Sequence, residues 1–195
     1  IQTAIDVNKM LDLDLVNQAS EQIAYALKLQ NKGKVKNLQD LKNFYKINYM
    51  APFDLKKIKG KFDMCVSTNA LEHFKITNLK EYLNDLKNIL ETHGLVSSIV
   101  DYSDHYSHTD PKISNLNYLR YSKKEWRKYN NPYLFQNRLR HQDYKELFES
   151  SGYKIIETFL GDSLHPPKTI SNEFDANNKD TYVGWAYFLM RDKTN

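Results

Sequence analysis

The stretch KFDMCVSTNALEH, residues Lys61 to His73, contains the pattern that decides the predicted fold. Its apolar first half follows Gly60 and gives way to polar residues, a pattern that predicts a short buried parallel strand. A helical pattern begins soon afterwards. Polar residues at the carboxyl end of such a strand lie in the crevice where open α/β sheets bind ligands. We therefore predict four site residues here: Ser67, Thr68, Asn69 and His73.

Length and composition restrict the class of protein. The 195 residues suit one domain, and 41% apolar with 13% aromatic residues is typical of a folded globular protein. The net charge of +4 is spread along the chain and does not by itself indicate a nucleic-acid partner. We expect no membrane partner, because no apolar stretch approaches the roughly 20 residues that span a bilayer. The single cysteine, Cys65, excludes a disulfide within the chain. We expect a soluble protein in a reducing compartment, the cytoplasm.

The order of elements predicts the fold class. Before the quoted stretch we expect a strand at 3–7, a helix at 13–29, a short helix at 38–44 and a strand at 47–50. After it we expect a helix over 79–90, capped by Thr77 or Asn78 and ended by Gly94, and then a strand at 95–100. A helix near 144–148 and strands at 153–160 and 182–190 close the chain. This order predicts an α/β fold: a doubly wound, mostly parallel sheet with an antiparallel C-terminal strand, in three layers α/β/α.

The quoted stretch also carries a family resemblance. Its form, an FD strand followed by a polar pair and Leu-Glu-His, resembles the fourth strand and following loop of class I S-adenosylmethionine-dependent methyltransferases. The matching residues are Phe62, Asp63, Asn69, Leu71, Glu72 and His73. The order of elements matches that family over nearly the whole chain. The resemblance implies a Rossmann-like fold, S-adenosyl-L-methionine as cofactor, and methyl transfer to a small-molecule or glycan-type acceptor.

The resemblance also implies where the cofactor binds. The family's acidic residue that grips the ribose corresponds to Asp6, followed by Val7, and the residues against the adenine correspond to Met50 and Ala51. The alternatives are a helix-capping role for Asp6 and a core role for Met50. The family's glycine-rich turn would precede Ile1. We therefore expect residues 1–195 to form a single, amino-terminally shortened domain with an acceptor-side insertion at about 101–140.

The segment 101–110, DYSDHYSHTD, carries the candidate chemistry. His105 is the first candidate for a general base, with His73 and His108 behind it and Asp104 to orient the imidazole. A divalent metal on the acids and histidines of this segment is a second interpretation, and a solvated loop without chemistry is a third. We adopt the first and assign no metal. The metal alternative involves Asp101, Asp104, His105, His108 and Asp110.

The following segment, 113–140, mixes aromatic and basic residues. It suits a lid over a polar acceptor, for which Tyr102, Arg138 and Arg140 are the candidate binding residues. The same mixture suits a single-stranded nucleic-acid surface, and the arginines also suit surface ion pairs. Two other function classes therefore remain open: a non-catalytic relative that serves as a scaffold, and a protein that binds or modifies nucleic acid.

Overall fold

The computed structural model describes residues 12–48 and 54–194. The chain divides into two compact units, residues 1–53 and 54–195. Several sequence predictions lie outside the described residues: the strand at 3–7, the end of the strand at 47–50, and the cofactor residues Asp6, Val7, Met50 and Ala51. No helix in the described ranges is long and apolar enough to cross a membrane.

The first unit contains the predicted amphipathic helix α1, Leu13–Ala26. Asp12 caps it, because its carboxylate accepts a hydrogen bond from the Leu15 N–H at 2.9 Å. The buried Asn17 amide both donates to and accepts from the backbone of Val35, at 3.0 and 2.7 Å. This pair of hydrogen bonds holds the following loop against the helix. A helical turn at Leu38–Asp40 and a π-helical turn at Leu41–Tyr45 follow.

The second unit contains a four-stranded sheet. Its strands are β1 (Phe62–Thr68), β2 (Leu90–Asp101), β3 (Tyr153–Leu160) and β4 (Trp185–Asp192), in the order β1-β2-β4-β3. The strands β1 and β2 are parallel neighbours, and β4 is antiparallel to both β2 and β3. The α/β class and the reversed last strand are confirmed. Three strands run in one direction, but only one hydrogen-bonded pair is parallel, so the mostly parallel sheet is confirmed only in part.

Two helices cover one face of this sheet. They are α2, Ile76–Lys87, and α3, His141–Ser150. Alternate residues of β2 and β4 face them, so that Val96 and Phe188 share a core with Leu83 of α2 and Phe148 of α3. On the opposite face, Met64, Val66 and Phe159 are exposed. Residues 54–194 by themselves thus form two of the three expected layers.

The segment between β2 and α3 has a small core of its own. Leu116, Tyr118, Leu119 and Trp126 are buried together, beside a helical turn at Lys123–Trp126. Ser122 begins that turn with a capping box to Glu125. Single 3₁₀ turns complete the unit at Leu55–Lys57, Leu71–His73, His105–His108, Asn117–Arg120 and Lys179–Tyr182.

Both predicted ends of α2 are wrong. The helix begins at Ile76 after Lys75, so Thr77 lies inside it, and no side-chain cap is formed. It ends at Lys87 because Leu90 already enters the sheet, paired with Phe62. Gly94 consequently lies within β2 rather than at a helix end. An added Cβ there would lie 3.0 Å from the Glu91 carbonyl oxygen, so close backbone approach is what favours glycine.

Candidate functional site

The candidate site lies where β1 and β2 end. Because these strands are parallel neighbours, their carboxyl ends meet at the same edge of the sheet. The Asn69 N–H donates to the Ile99 carbonyl at 3.0 Å, which extends the strand pairing by one residue. Asn69 then adopts a φ of 50° and turns the chain out of the sheet. Asparagine is one of the few residues that accept this left-handed conformation.

The turn after Asn69 presents a buried carboxylate. Glu72 is 2% exposed, and neither of its carboxylate oxygens has a hydrogen-bond partner among the described residues. Burial raises the pKa of Glu72. The turn is held by Asn137, whose N–H donates to the Glu72 carbonyl oxygen at 2.9 Å and whose amide donates to the Leu71 carbonyl oxygen at 3.0 Å.

His73 follows directly and faces the Glu72 carboxylate. Its Nδ1 lies 2.9 Å from the Phe135 carbonyl oxygen, and since a carbonyl only accepts, Nδ1 must carry the proton. Nε2 lies 3.9 Å from Glu72 Oε1. The side chain is 45% exposed and borders a surface cavity of about 630 Å³ lined also by Phe74, Asn78 and Phe135. His73 therefore connects the buried carboxylate with the solvent.

The segment after β2 brings two more histidines to the same place. His105 Nε2 lies 3.4 Å and His108 Nε2 lies 3.9 Å from Asp101 Oδ2. The Asp101 carboxylate raises the pKa of His105, although burial opposes the change. Burial acts to raise the pKa of Asp101, but the His105 imidazole and the Ser103 N–H outweigh it and lower that pKa.

The three histidine rings form a row. The centroids of His73 and His105 are 4.9 Å apart, and those of His105 and His108 are 5.1 Å apart. Glu72 and Asp101 flank this row. The structure thus brings together all three histidines predicted as candidates for the base, from two loops that are more than 30 residues apart in sequence.

The predicted orienting carboxylate, Asp104, is elsewhere. It accepts from the Tyr106 N–H at 2.9 Å and from the Asn117 amide at 3.1 Å, and so begins the 3₁₀ turn at His105. The carboxylate beside the His105 imidazole belongs to Asp101, because that residue immediately ends β2. On β1, the Ser67 hydroxyl donates to Ser98 Oγ at 3.1 Å, and Thr68 is exposed.

The three residues predicted to bind an acceptor are internal. Tyr102 is 1% exposed and its ring stacks on that of Tyr144, so it belongs to the main core. Arg138 donates to the carbonyl oxygens of Tyr118 and Tyr121. Arg140 donates to those of Tyr102 and Val183 and to the Tyr118 hydroxyl. The guanidinium groups of Arg138 and Arg140 point into the protein because the surrounding loops leave backbone carbonyl oxygens that need hydrogen-bond donors.

The aromatic residues of this segment are also internal in part. Trp126, Tyr118 and Leu119 form the small second core, and Tyr121 packs against it. Tyr129 and Tyr133 are exposed. Burial of Tyr118 and Trp126 therefore removes two of the six rings on which the interpretation as a stacking surface for single-stranded nucleic acid depends.

Sequence reasoning left three residues out of the candidate set. Glu72 stood beside His73 in the quoted stretch, and Asp101 was named only in the metal alternative. Gln136 gave no signal: its amide donates to the Ser103 carbonyl and its Oε1 accepts from the His105 N–H at 3.4 Å, across more than 30 residues. Its position next to the predicted site residue His73 is the one sequence signal that could have identified Glu72.

Comparison with known proteins gives structural likenesses only. No protein-family model matches the chain, and no curated protein matches it in sequence. The chain is similar to an S-adenosylmethionine-dependent methyltransferase from Clostridium acetobutylicum ATCC 824, with a TM-score of 0.41 and 10% identity over 93% of this chain and 72% of that one. It is also similar to magnesium protoporphyrin IX methyltransferase (ChlM) from Synechocystis PCC 6803 with bound SAH, with a TM-score of 0.41 and 11% identity over 90% of this chain. The chain spans 57% of that methyltransferase and 32% of TnmH, a third similar structure.

Proposed function

We propose that this chain belongs to a methyltransferase that uses S-adenosyl-L-methionine and methylates a small-molecule or glycan-type acceptor in the cytoplasm. The observation that carries the proposal is the cluster of polar side chains at the joined carboxyl ends of β1 and β2. The sheet around this cluster agrees with the family resemblance in the sequence, because the last strand, β4, lies between β2 and β3 and is antiparallel to both.

The cofactor would supply a methyl group on a positively charged sulfur, which is already activated for attack. The protein's main task is then to hold the acceptor in line with it, and positioning can contribute on the order of 7–11 kcal/mol. The residues proposed to hold the cofactor are Asp6, Val7, Met50 and Ala51, together with Ser67, Thr68, Asn69 and His73. The exposed Thr68 and the outward turn at Asn69 fit this role, since both leave polar groups at the sheet edge.

A base is needed only if the acceptor must lose a proton. His105 and His108 are the proposed bases, because the Asp101 carboxylate lies beside both imidazoles, and it raises the pKa of His105. The His105 side chain is the more enclosed of the two, because it is 14% exposed whereas that of His108 is 55% exposed.

Calorimetric titration with S-adenosylhomocysteine tests the cofactor assignment. We expect the chain to bind the compound and Asn69→Gly to weaken binding at least tenfold. Glycine keeps the positive φ without strain, so this substitution removes only the side chain. The matched control is Asp63→Asn at the exposed amino end of the same strand, which should leave binding unchanged. Absence of binding by the chain, or equal binding by the Asn69 variant, would contradict the assignment.

A further inference from the structure

One group of side chains in the described ranges has the composition of a metal site. Glu72, His73 and His105 each offer a potential ligand atom, and these atoms all lie within 4.8 Å of one another. We propose that they bind a divalent transition metal ion. This proposal does not rest on methyl transfer, because it follows from the side chains alone.

The strongest support is the state of the Glu72 carboxylate. It is buried, yet neither oxygen has a hydrogen-bond partner in the described part of the chain. A buried carboxylate without partners is costly, and proteins satisfy such groups with hydrogen bonds, ion pairs or metals. Among the described residues, no lysine or arginine forms an ion pair with Glu72 or Asp101. A cation at this point would satisfy the carboxylate.

The tautomer of His73 gives a second argument. Its Nδ1 carries the proton because it faces the Phe135 carbonyl oxygen, so neutral His73 has its lone pair on Nε2. That lone pair faces Glu72 Oε1, another acceptor, at 3.9 Å. Two acceptors that face each other need either a proton or a metal cation between them, and a metal ion would satisfy both at once. A hydrogen bond from the distal ring nitrogen to a carbonyl is also the usual way in which proteins orient a metal-binding histidine.

His105 supplies the third donor atom. Its Nε2 is buried and makes no hydrogen bond to any described residue, although Asp101 Oδ2 lies 3.4 Å away. The Asp101 carboxylate adds negative charge beside the proposed ion. Ligation would use the Nε2 lone pair of His105, so His108 would then remain as the proposed base.

The donor set indicates the class of metal. Two imidazole nitrogens and one carboxylate oxygen suit zinc or iron(II), whereas magnesium and calcium prefer oxygen ligands. Ligands about 2.1 Å from a tetrahedral ion are roughly 3.4 Å apart, so the two atoms of Glu72 and His73 need to approach by about half an ångström, and no pair of the three by more than about 1.4 Å. Three protein ligands leave positions open, as in sites where the ion also binds an oxygen of a substrate.

Calorimetry with the metal alone tests the site. Zinc chloride and magnesium chloride are titrated separately into the metal-stripped, untagged chain. We expect stoichiometric zinc binding, and binding of magnesium at least 100-fold weaker. His73→Gln should weaken zinc binding about 100-fold or more without unfolding the chain, because this side chain is partly exposed. Glu72→Gln, which keeps the volume, should weaken it as well.

The matched control is His93→Asn, which removes an exposed histidine at the other end of β2 and should leave zinc affinity unchanged. Cobalt(II) provides a second readout, because its visible absorption reports nitrogen ligands, and we expect the spectrum to change in His73→Gln but not in His93→Asn. Lack of stoichiometric zinc binding by the unaltered chain would overturn the proposal. So would a zinc affinity and cobalt spectrum in folded His73→Gln equal to those of the control.

Discussion

Substitution of Arg140 by lysine tests whether this buried guanidinium stabilises the fold. Arg140 is 5% exposed, and its two terminal nitrogens donate to the carbonyl oxygens of Tyr102 and Val183 and to the Tyr118 hydroxyl. Tyr102 would keep a second donor, the Tyr118 hydroxyl at 2.7 Å, but Val183 has no other donor among the described residues. Lysine keeps the charge but cannot reproduce the planar fork.

The expected cost follows from these contacts. One buried carbonyl left without a donor costs about 1–3 kcal/mol, and loss of a hydrogen bond from a charged donor costs a similar amount. We therefore expect Arg140→Lys to lower the free energy of unfolding by about 3 kcal/mol. With a urea m-value of about 2 kcal/mol per molar, the unfolding midpoint should fall by roughly 1.5 M.

Tryptophan fluorescence is the appropriate assay. Both tryptophans, Trp126 and Trp185, lie in the unit 54–195, so their emission reports the unfolding of that unit alone. The control is Arg127→Lys, an exposed position in the same connecting segment, where we expect a change below about 0.5 kcal/mol. An unchanged midpoint for Arg140→Lys would refute the structural role and return Arg140 to the candidates for acceptor binding.

Three further predictions concern the same unit and use the same assay. Leu83→Ala should destabilise it by about 2–5 kcal/mol because Leu83 is fully buried against the sheet, and a cost below that of a surface leucine would contradict the packing. Gly152→Ala should cost about 1 kcal/mol, since Gly152 ends α3 with a φ of 84°, whereas no change would mean that the turn relaxes. Burial lowers the pKa of His141, which stacks on Phe188; the unfolded chain therefore takes up a proton first, and stability should fall as the pH drops through about 6.5. His141→Phe should remove that part of the pH dependence, and an unchanged pH profile would show that another group causes it.

Local periodicity predicted the regular elements well. The strand β3 was predicted with its observed bounds, and α1 was predicted within three residues, because each has a periodic apolar pattern of its own. The predicted end of α2 was wrong because it relied on the same kind of periodic apolar pattern. Ile89 and Leu90 continue the helical apolar pattern but are buried as the start of the sheet, and a periodic pattern cannot distinguish these two uses.

The position of a side chain close to a strand end was easier to predict than a contact between distant parts of the chain. His73, His105 and His108 follow β1 and β2 directly, so the sequence placed them at one sheet edge. The arginines were assigned to an acceptor because a sequence shows charge but not which carbonyl oxygens need a donor. The Val183 carbonyl, which takes the Arg140 guanidinium, is more than 40 residues away.

Three consecutive residues explain why the two loops of the candidate site meet. The Phe135 carbonyl accepts from His73, the Gln136 amide contacts Ser103 and the N–H of His105, and the Asn137 amide holds the turn that carries Glu72. One short segment, residues 135–137, therefore contacts site residues that follow both strands. At position 135 only a backbone carbonyl is needed, so many residues would serve. At 136 and 137 a side-chain amide both donates and accepts, and a leucine at either position would remove the hydrogen-bond partners of two or more backbone groups. The geometry of the site thus depends on residues that hold the proposed ligands and bases in place without being among them.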